Sequence, residues 1–162
     1  MELNKLIEEM KSVAQQDRLK TVAEMIEGKT VLDAGAGVAS LKSHLPNSKK
    51  YMAVDAEREF VEYIRQLQVD AIVANINKLP FEDKSFDTVV AAEIIEHLEN
   101  PGIGLAECMR IAKDQVILTI PNSHSWREHA WTFEWKFSSS WIVLNIKRNL
   151  SFEKEHQEKF KQ

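Results

Sequence analysis

The sequence predicts an α/β fold built on a doubly wound, mostly parallel sheet, and three observations carry that expectation. Short apolar runs suited to buried strands alternate with helical stretches over most of the chain. The stretch VLDAGAGVAS, Val31 to Ser40, runs an apolar segment into an acid and a glycine pair, a turn that lets a backbone approach a nucleotide closely. A second acid, Asp55, closes the next apolar run. Right-handed crossovers between parallel strands place helices on both faces of such a sheet, with ligands at the carboxyl ends of the strands.

The elements follow in order. Leu3, Leu6, Ile7, Met10, Val13 and Ala14 recur at helical spacing. Asp17 is placed to cap a second helix carrying Leu19, Val22, Ala23 and Ile26, with Gly28 where that helix stops. TVLDAG reads as the first strand and ASLKSHL as a helix broken by Pro46. YMAVD is the second strand, EREFVEYIRQL a helix, and AIVANI the third strand. FDTVVAAE is the fourth strand, PGIGLAECMRIA a helix opened by proline, and QVILTIPN the fifth strand, ended by Pro121. Beyond Asn122 the character changes: Trp126, Trp131, Trp135 and Trp141 fall within sixteen residues, with Phe133 and Phe137 among them. These aromatics suit a lid, a platform for a planar substrate, a subunit contact, or core that covers the sheet edge. WIVLNI is the sole candidate strand there, and SSSWIVLNIKR reads equally as a serine-capped helix. The sheet is therefore expected to be abbreviated at its C-terminal hairpin, with an open edge that favours a homodimer. The final SFEKEHQEKFKQ reads as a solvated helix or tail.

Composition sets outer bounds. A chain of 162 residues, 44% hydrophobic and 28% charged, is read as one domain spanning 1–162. A net charge of −4 supplies no electrostatic argument for nucleic acid or a membrane surface. The single cysteine, Cys108, excludes an internal disulfide and a multi-cysteine zinc site, and its surroundings suggest a buried helix face. The charged start MELNKLIEEMK does not read as a signal peptide, and no apolar run reaches a membrane span, so a cytoplasmic location is expected.

The glycine turn narrows the ligand. A dinucleotide fingerprint needs a third glycine, but after Gly35 and Gly37 that position is Ser40. Asp33, two residues before Gly35, puts a carboxylate at the strand tip, where a phosphate gains little and an ammonium or sulfonium gains more. Asp55 stands twenty positions after Gly35, close to the ~20 expected of an acid that bonds ribose hydroxyls. The ligand that fits carries a ribose and a positive charge.

Together, VLDAGAGVAS, AVDAE, NINKLPFEDKSFDTVV and EIIEHLENP resemble the class I S-adenosylmethionine-dependent methyltransferases, over roughly Val31 to Asn122. The resemblance implies a Rossmann-like methyltransferase fold. Within it, residues 1–28 are N-terminal helices, 29–122 the cofactor-binding core, and 123–162 the aromatic substrate, lid or interface segment. It implies that the Asp33–Ala39 turn, with Ala34, Gly35 and Gly37, wraps the methionine part, and that Asp55 and Ala56 lie at the ribose. Asn75 and Ile76 fall at the family's adenine contacts, and Glu93 beside the methionine and substrate pocket. Two departures are visible: Ala39 where the family often has glycine, and Asn75 where it often has aspartate. An amide oxygen still accepts a hydrogen bond, without the strength of a charged acceptor. Asn75 also suits a plain turn, and Ile76 plain core.

Glu93, Glu96 and His97 form E-x-x-E-H after the fourth strand. This cluster resembles the metal-binding motif of small-RNA 2′-O-methyltransferases and of quinone-biosynthesis O-methyltransferases. Three readings stay open: a divalent metal on Glu93, Glu96 and His97; His97 as a base or substrate contact; or structural roles. His124, His129 and Trp131 are substrate-contact candidates after the fifth strand. The leading expectation is an S-adenosylmethionine-dependent methyltransferase acting at O or N of a small-molecule acceptor, with His97 catalytic. Methylation of RNA, a non-catalytic cofactor-binding module and a nicotinamide-dependent oxidoreductase are the alternatives, the last disfavoured by Ser40.

Overall fold

The strands read from the sequence are buried on both faces, which dictates how the chain is layered. The computed structural model describes residue 8 and residues 13–121, 134–137 and 141–147. Seven strands, β1 (Thr30–Ala34), β2 (Lys50–Asp55), β3 (Ala71–Val73), β4 (Phe86–Ala92), β5 (Ala112–Pro121), β6 (Glu134–Phe137) and β7 (Trp141–Lys147), form one sheet in the order β3-β2-β1-β4-β5-β7-β6. The pairs among β1 to β5 are parallel, and β7 runs antiparallel to both β5 and β6.

Alternation along each strand sorts side chains to two cores. Val31, Ala53, Val90, Ile117 and Val143 face one side, against Leu19, Val22 and Ile26 of helix α1 (Val13–Met25) and Val61 and Ile64 of α2 (Arg58–Gln66). Leu32, Ala34, Val54, Val89, Ala91, Val116 and Leu118 face the other, against Cys108 and Ile111 of α3 (Pro101–Ile111). Burying each larger aliphatic chain contributes about 1.5–3 kcal/mol. Pro101 opens α3 at a position where its missing N–H is harmless. Cys108 is fully buried, and burial pushes its thiol up to about 12, so it packs as a hydrophobe.

Several expectations are corrected. Asp17 caps nothing: α1 runs through it without a break, and Asp17 instead gives its carbonyl to Thr21 Oγ1. ASLKSHL forms a 3₁₀ turn (Ser40–His44) rather than an α-helix, entered through Ala39 at φ 55°. The third strand stops at Val73: Ala74 N–H makes the last ladder bond to the Asp55 carbonyl (3.0 Å), and the chain then turns at Asn75, whose carbonyl accepts from Lys78 N–H (2.9 Å). The sheet is not abbreviated. β7 covers β5 from Gln115↔Lys147 to Pro121↔Trp141, and EWKF supplies β6. The open β5 edge that argued for a homodimer is thus filled by the chain itself. Of the first predicted helix only Glu8, Val13 and Ala14 are among the described residues, the last two as the start of α1; His124, Trp126, His129, Trp131 and Phe133 lie outside them. No helix among the described residues is long and apolar enough to cross a membrane.

One buried amide fixes α1 over the sheet. Gln115 Nε2 donates to the Met25 carbonyl (3.0 Å) and to Asn145 Oδ1 (3.2 Å), while its oxygen accepts from Glu27 N–H (2.9 Å). The end of α1 is thereby tied to both β5 and β7, which sets where its inward face meets the strand tips.

Candidate functional site

A cavity of about 760 Å³ opens at the carboxyl ends of β1, β2 and β4, roofed by α1. Its size suits a small-molecule site. Asp33, Gly35, Gly37, Asp55, Ala56, Asn75, Ile76, Glu93 and His97 all line it. Ala34 does not: one step along the strand from Asp33, its methyl is buried in the opposite core beside Leu32 and Val54.

Asp33 is 3% exposed and accepts a hydrogen bond from Tyr51 Oη at 2.5 Å. Burial raises its carboxyl to about 6; the Tyr51 bond opposes that rise and the charge of Asp55 adds to it. The turn that follows has Gly35 at φ 78° and Gly37 at φ 54°, with the amides of Gly35 and Ala36 both donating to the Val54 carbonyl (2.8 and 3.0 Å). A Cβ on Gly35 would sit 2.6 Å from Ile94 Cγ1. Glycine is thus required here by backbone conformation and by contact with the loop after β4, before any ligand enters.

Asp55 splits its carboxylate between two amides, Oδ2 accepting from Gly37 (2.8 Å) and Oδ1 from Glu57 (2.9 Å). It therefore holds the glycine turn in place as well as facing the cavity. Asn75 Oδ1 accepts from Asn77 N–H (2.8 Å), an Asx turn that shapes the loop after β3. Ile76 is 6% exposed and belongs to both core and cavity wall.

Glu93 takes the left-handed conformation (φ 51°), its amide bonded to the Thr119 carbonyl (3.0 Å). Its carboxylate pairs with Arg18 of α1, a residue that sequence reasoning missed. Arg18 is 7% exposed and lines the cavity, and its buried Nε has no partner among the described residues. A signal was present: Gln15, Arg18, Leu19 and Val22 share the i, i+3, i+4, i+7 face, and two of the four are polar. Polar groups on an inward helix face point to a lined cavity.

The metal alternative is not assembled. Glu93 faces Arg18, Glu96 is exposed and outside the cavity lining, and no group of three or more potential ligands comes together among the described residues. His97 stays at the cavity mouth, on a 3₁₀ turn (Ile95–His97).

Residues 32–120, more than half of the chain, match the family model described as a methyltransferase domain. The chain belongs to this family. It is 31% identical over 104 residues to N-methyltransferase 4 of Papaver somniferum, covering 57% of this chain and 29% of that protein. It is 28% identical over 138 residues to demethylmenaquinone methyltransferase of Porphyromonas gingivalis, covering 78% of this chain and 56% of that one. The chain thus spans between about a third and just over half of these curated relatives. Among solved structures, an S-adenosylmethionine-dependent methyltransferase of Aquifex aeolicus superposes with a TM-score of 0.65 at 18% identity, covering 91% of this chain and 98% of that one. That likeness establishes the Rossmann-like methyltransferase fold, and the family's cofactor is S-adenosylmethionine. The cavity fits such a group: buried Asp33 offers a negative wall to a cation, and Asp55 lies one strand over.

Proposed function

We propose that this methyltransferase domain binds S-adenosylmethionine in the cavity at the ends of β1, β2 and β4 and methylates a small-molecule acceptor at oxygen or nitrogen. The observation that carries the reading is the convergence of Asp33 and Asp55 on one cavity, from adjacent strands, with the Gly35–Gly37 turn between them. Asp33 faces the positive end of the ligand, Asp55 the ribose hydroxyls, and Asn75 and Ile76 flank the adenine. Glu93 and Arg18 stand at the methionine end, where an ion pair offers both an acceptor and a donor. When bound, the cofactor supplies a methyl group on a good thioether leaving group. The chain's task is to orient the acceptor and exclude water; positioning of this kind lowers a barrier by roughly 7–11 kcal/mol. His97, at the cavity mouth, takes the proton from an acceptor hydroxyl or amine. The Porphyromonas relative's name, demethylmenaquinone methyltransferase, favours a small acceptor, and the Papaver relative's name favours nitrogen as the methylated atom. The single cysteine supports a cytoplasmic setting.

Labelled-methyl transfer across hydroxyl and amine acceptors tests this reading. His97→Ala is expected to lower turnover by about 10²–10⁴ on the accepted substrate, with cofactor affinity retained. Full activity in that variant would remove His97 from the chemistry.

A further inference from the structure

The pair formed by Asp33 and Tyr51 is not explained by packing. In the parallel register Asp33 lies opposite Ala53, so Tyr51, two residues earlier on β2, projects from the same face. Its hydroxyl reaches back to Asp33 Oδ2 inside the core, and Tyr51 is itself only 7% exposed. Among the described residues it is the one side-chain donor to Asp33. A phenol at this depth needs a partner, but a phenylalanine would fill the same apolar space without one. Lys42 stands over the tyrosine ring, 5.9 Å from its centre.

We propose that Tyr51 is a positioning residue for the cofactor: it holds Asp33 ionised and aimed at the cavity, and so sets the pH range over which S-adenosylmethionine binds. The inference rests on the cofactor reading above. A buried carboxylate with one neutral donor has little else to keep its charge. The groups around it are Asp55 on β2, which opposes that charge, the Arg18–Glu93 pair across the cavity, and His97 at the mouth. Arg18 donates to Glu93, and no hydrogen bond joins it to Asp33 among the described residues, leaving the phenol as the donor that stabilises the anion. Once protonated, Asp33 no longer attracts a sulfonium or ammonium, and affinity falls by up to tenfold for each pH unit below its midpoint.

The test is the dissociation constant for S-adenosylmethionine between pH 5 and 7.5, read by calorimetry on the full chain. The wild type is expected to break near the carboxyl value of about 6. Tyr51→Phe shifts that break upward by about one pH unit, the worth of a hydrogen bond to a charged group. Replacing tyrosine with 3-fluorotyrosine, a stronger donor of nearly the same size, shifts it downward and serves even where the phenylalanine variant fails to fold. Asp33→Asn removes the break. Superimposable profiles for wild type and either tyrosine variant would overturn the proposal, as would a break that survives Asp33→Asn. A wild type that binds no cofactor at any pH would instead overturn the reading on which it rests.

Discussion

Asp33 carries a conflict between stability and binding. Its carboxyl is raised from 3.8 to about 6 by burial, so the folded chain holds this proton more tightly than the unfolded one. Such a group costs stability when ionised: the cost is full above about 6, shrinks as the pH falls, and vanishes below the unfolded value of 3.8. Asp33→Asn is therefore expected to stabilise the fold at pH 7.5 by roughly 1–3 kcal/mol, since each tenfold change in proton affinity is worth about 1.4 kcal/mol. The gain should disappear near pH 4, and cofactor affinity should drop at pH 7.5 and converge on that of the wild type as the pH falls below about 6. Denaturant unfolding at the two pH values, beside a binding titration, checks both halves. Asp33, Asp55 and the glycine pair were legible in the sequence because chemistry fixed their spacing. Tyr51 and Arg18 were not, since Tyr51 meets Asp33 only through strand register and Arg18 meets Glu93 across seventy-five positions of chain.

The turn after β1 shows the same logic in an element. Read from the sequence, Gly35 is needed so that a ligand can approach; in the fold it is first needed because Ile94 occupies the space of its Cβ. Gly35→Ala is expected to destabilise the chain by about 1–3 kcal/mol, from its left-handed backbone and the clash together. Adding Ile94→Ala should recover part of that loss, and a double-mutant cycle on thermal stability measures the coupling. Independent losses would show that the two loops do not press on each other. β1, β2, β4, α2 and α3 were legible because apolar period and proline or glycine punctuation agreed. The 3₁₀ turn at Ser40 was not, since its five residues carry a helical composition and only Ala39 at φ 55° forces the tighter path. β6 was hidden for another reason: EWKF is four residues long with two charges, and it is a strand because β7 pairs with it.

At the scale of the molecule, one sheet end gathers the acids of β1 and β2, the loops after β3 and β4, and the inward face of α1 around one cavity. The sequence predicted that gathering for the parallel core, where ligands collect at strand ends. It did not predict the roof, because α1 is placed by Gln115 and Asn145, which join β5 and β7 to its end. The central claim is that this cavity takes S-adenosylmethionine through Asp55. Calorimetric titration of the chain with S-adenosylmethionine, and with its demethylated product, tests it most directly, with NAD as the competing nucleotide and Asp55→Ala as the variant. The account predicts one-to-one binding of both sulfur ligands, no binding of NAD, and a loss of roughly 1–3 kcal/mol in the variant, the scale of hydrogen bonds to a charged acceptor. Binding of NAD in preference, or an Asp55→Ala chain with unchanged affinity, would contradict it.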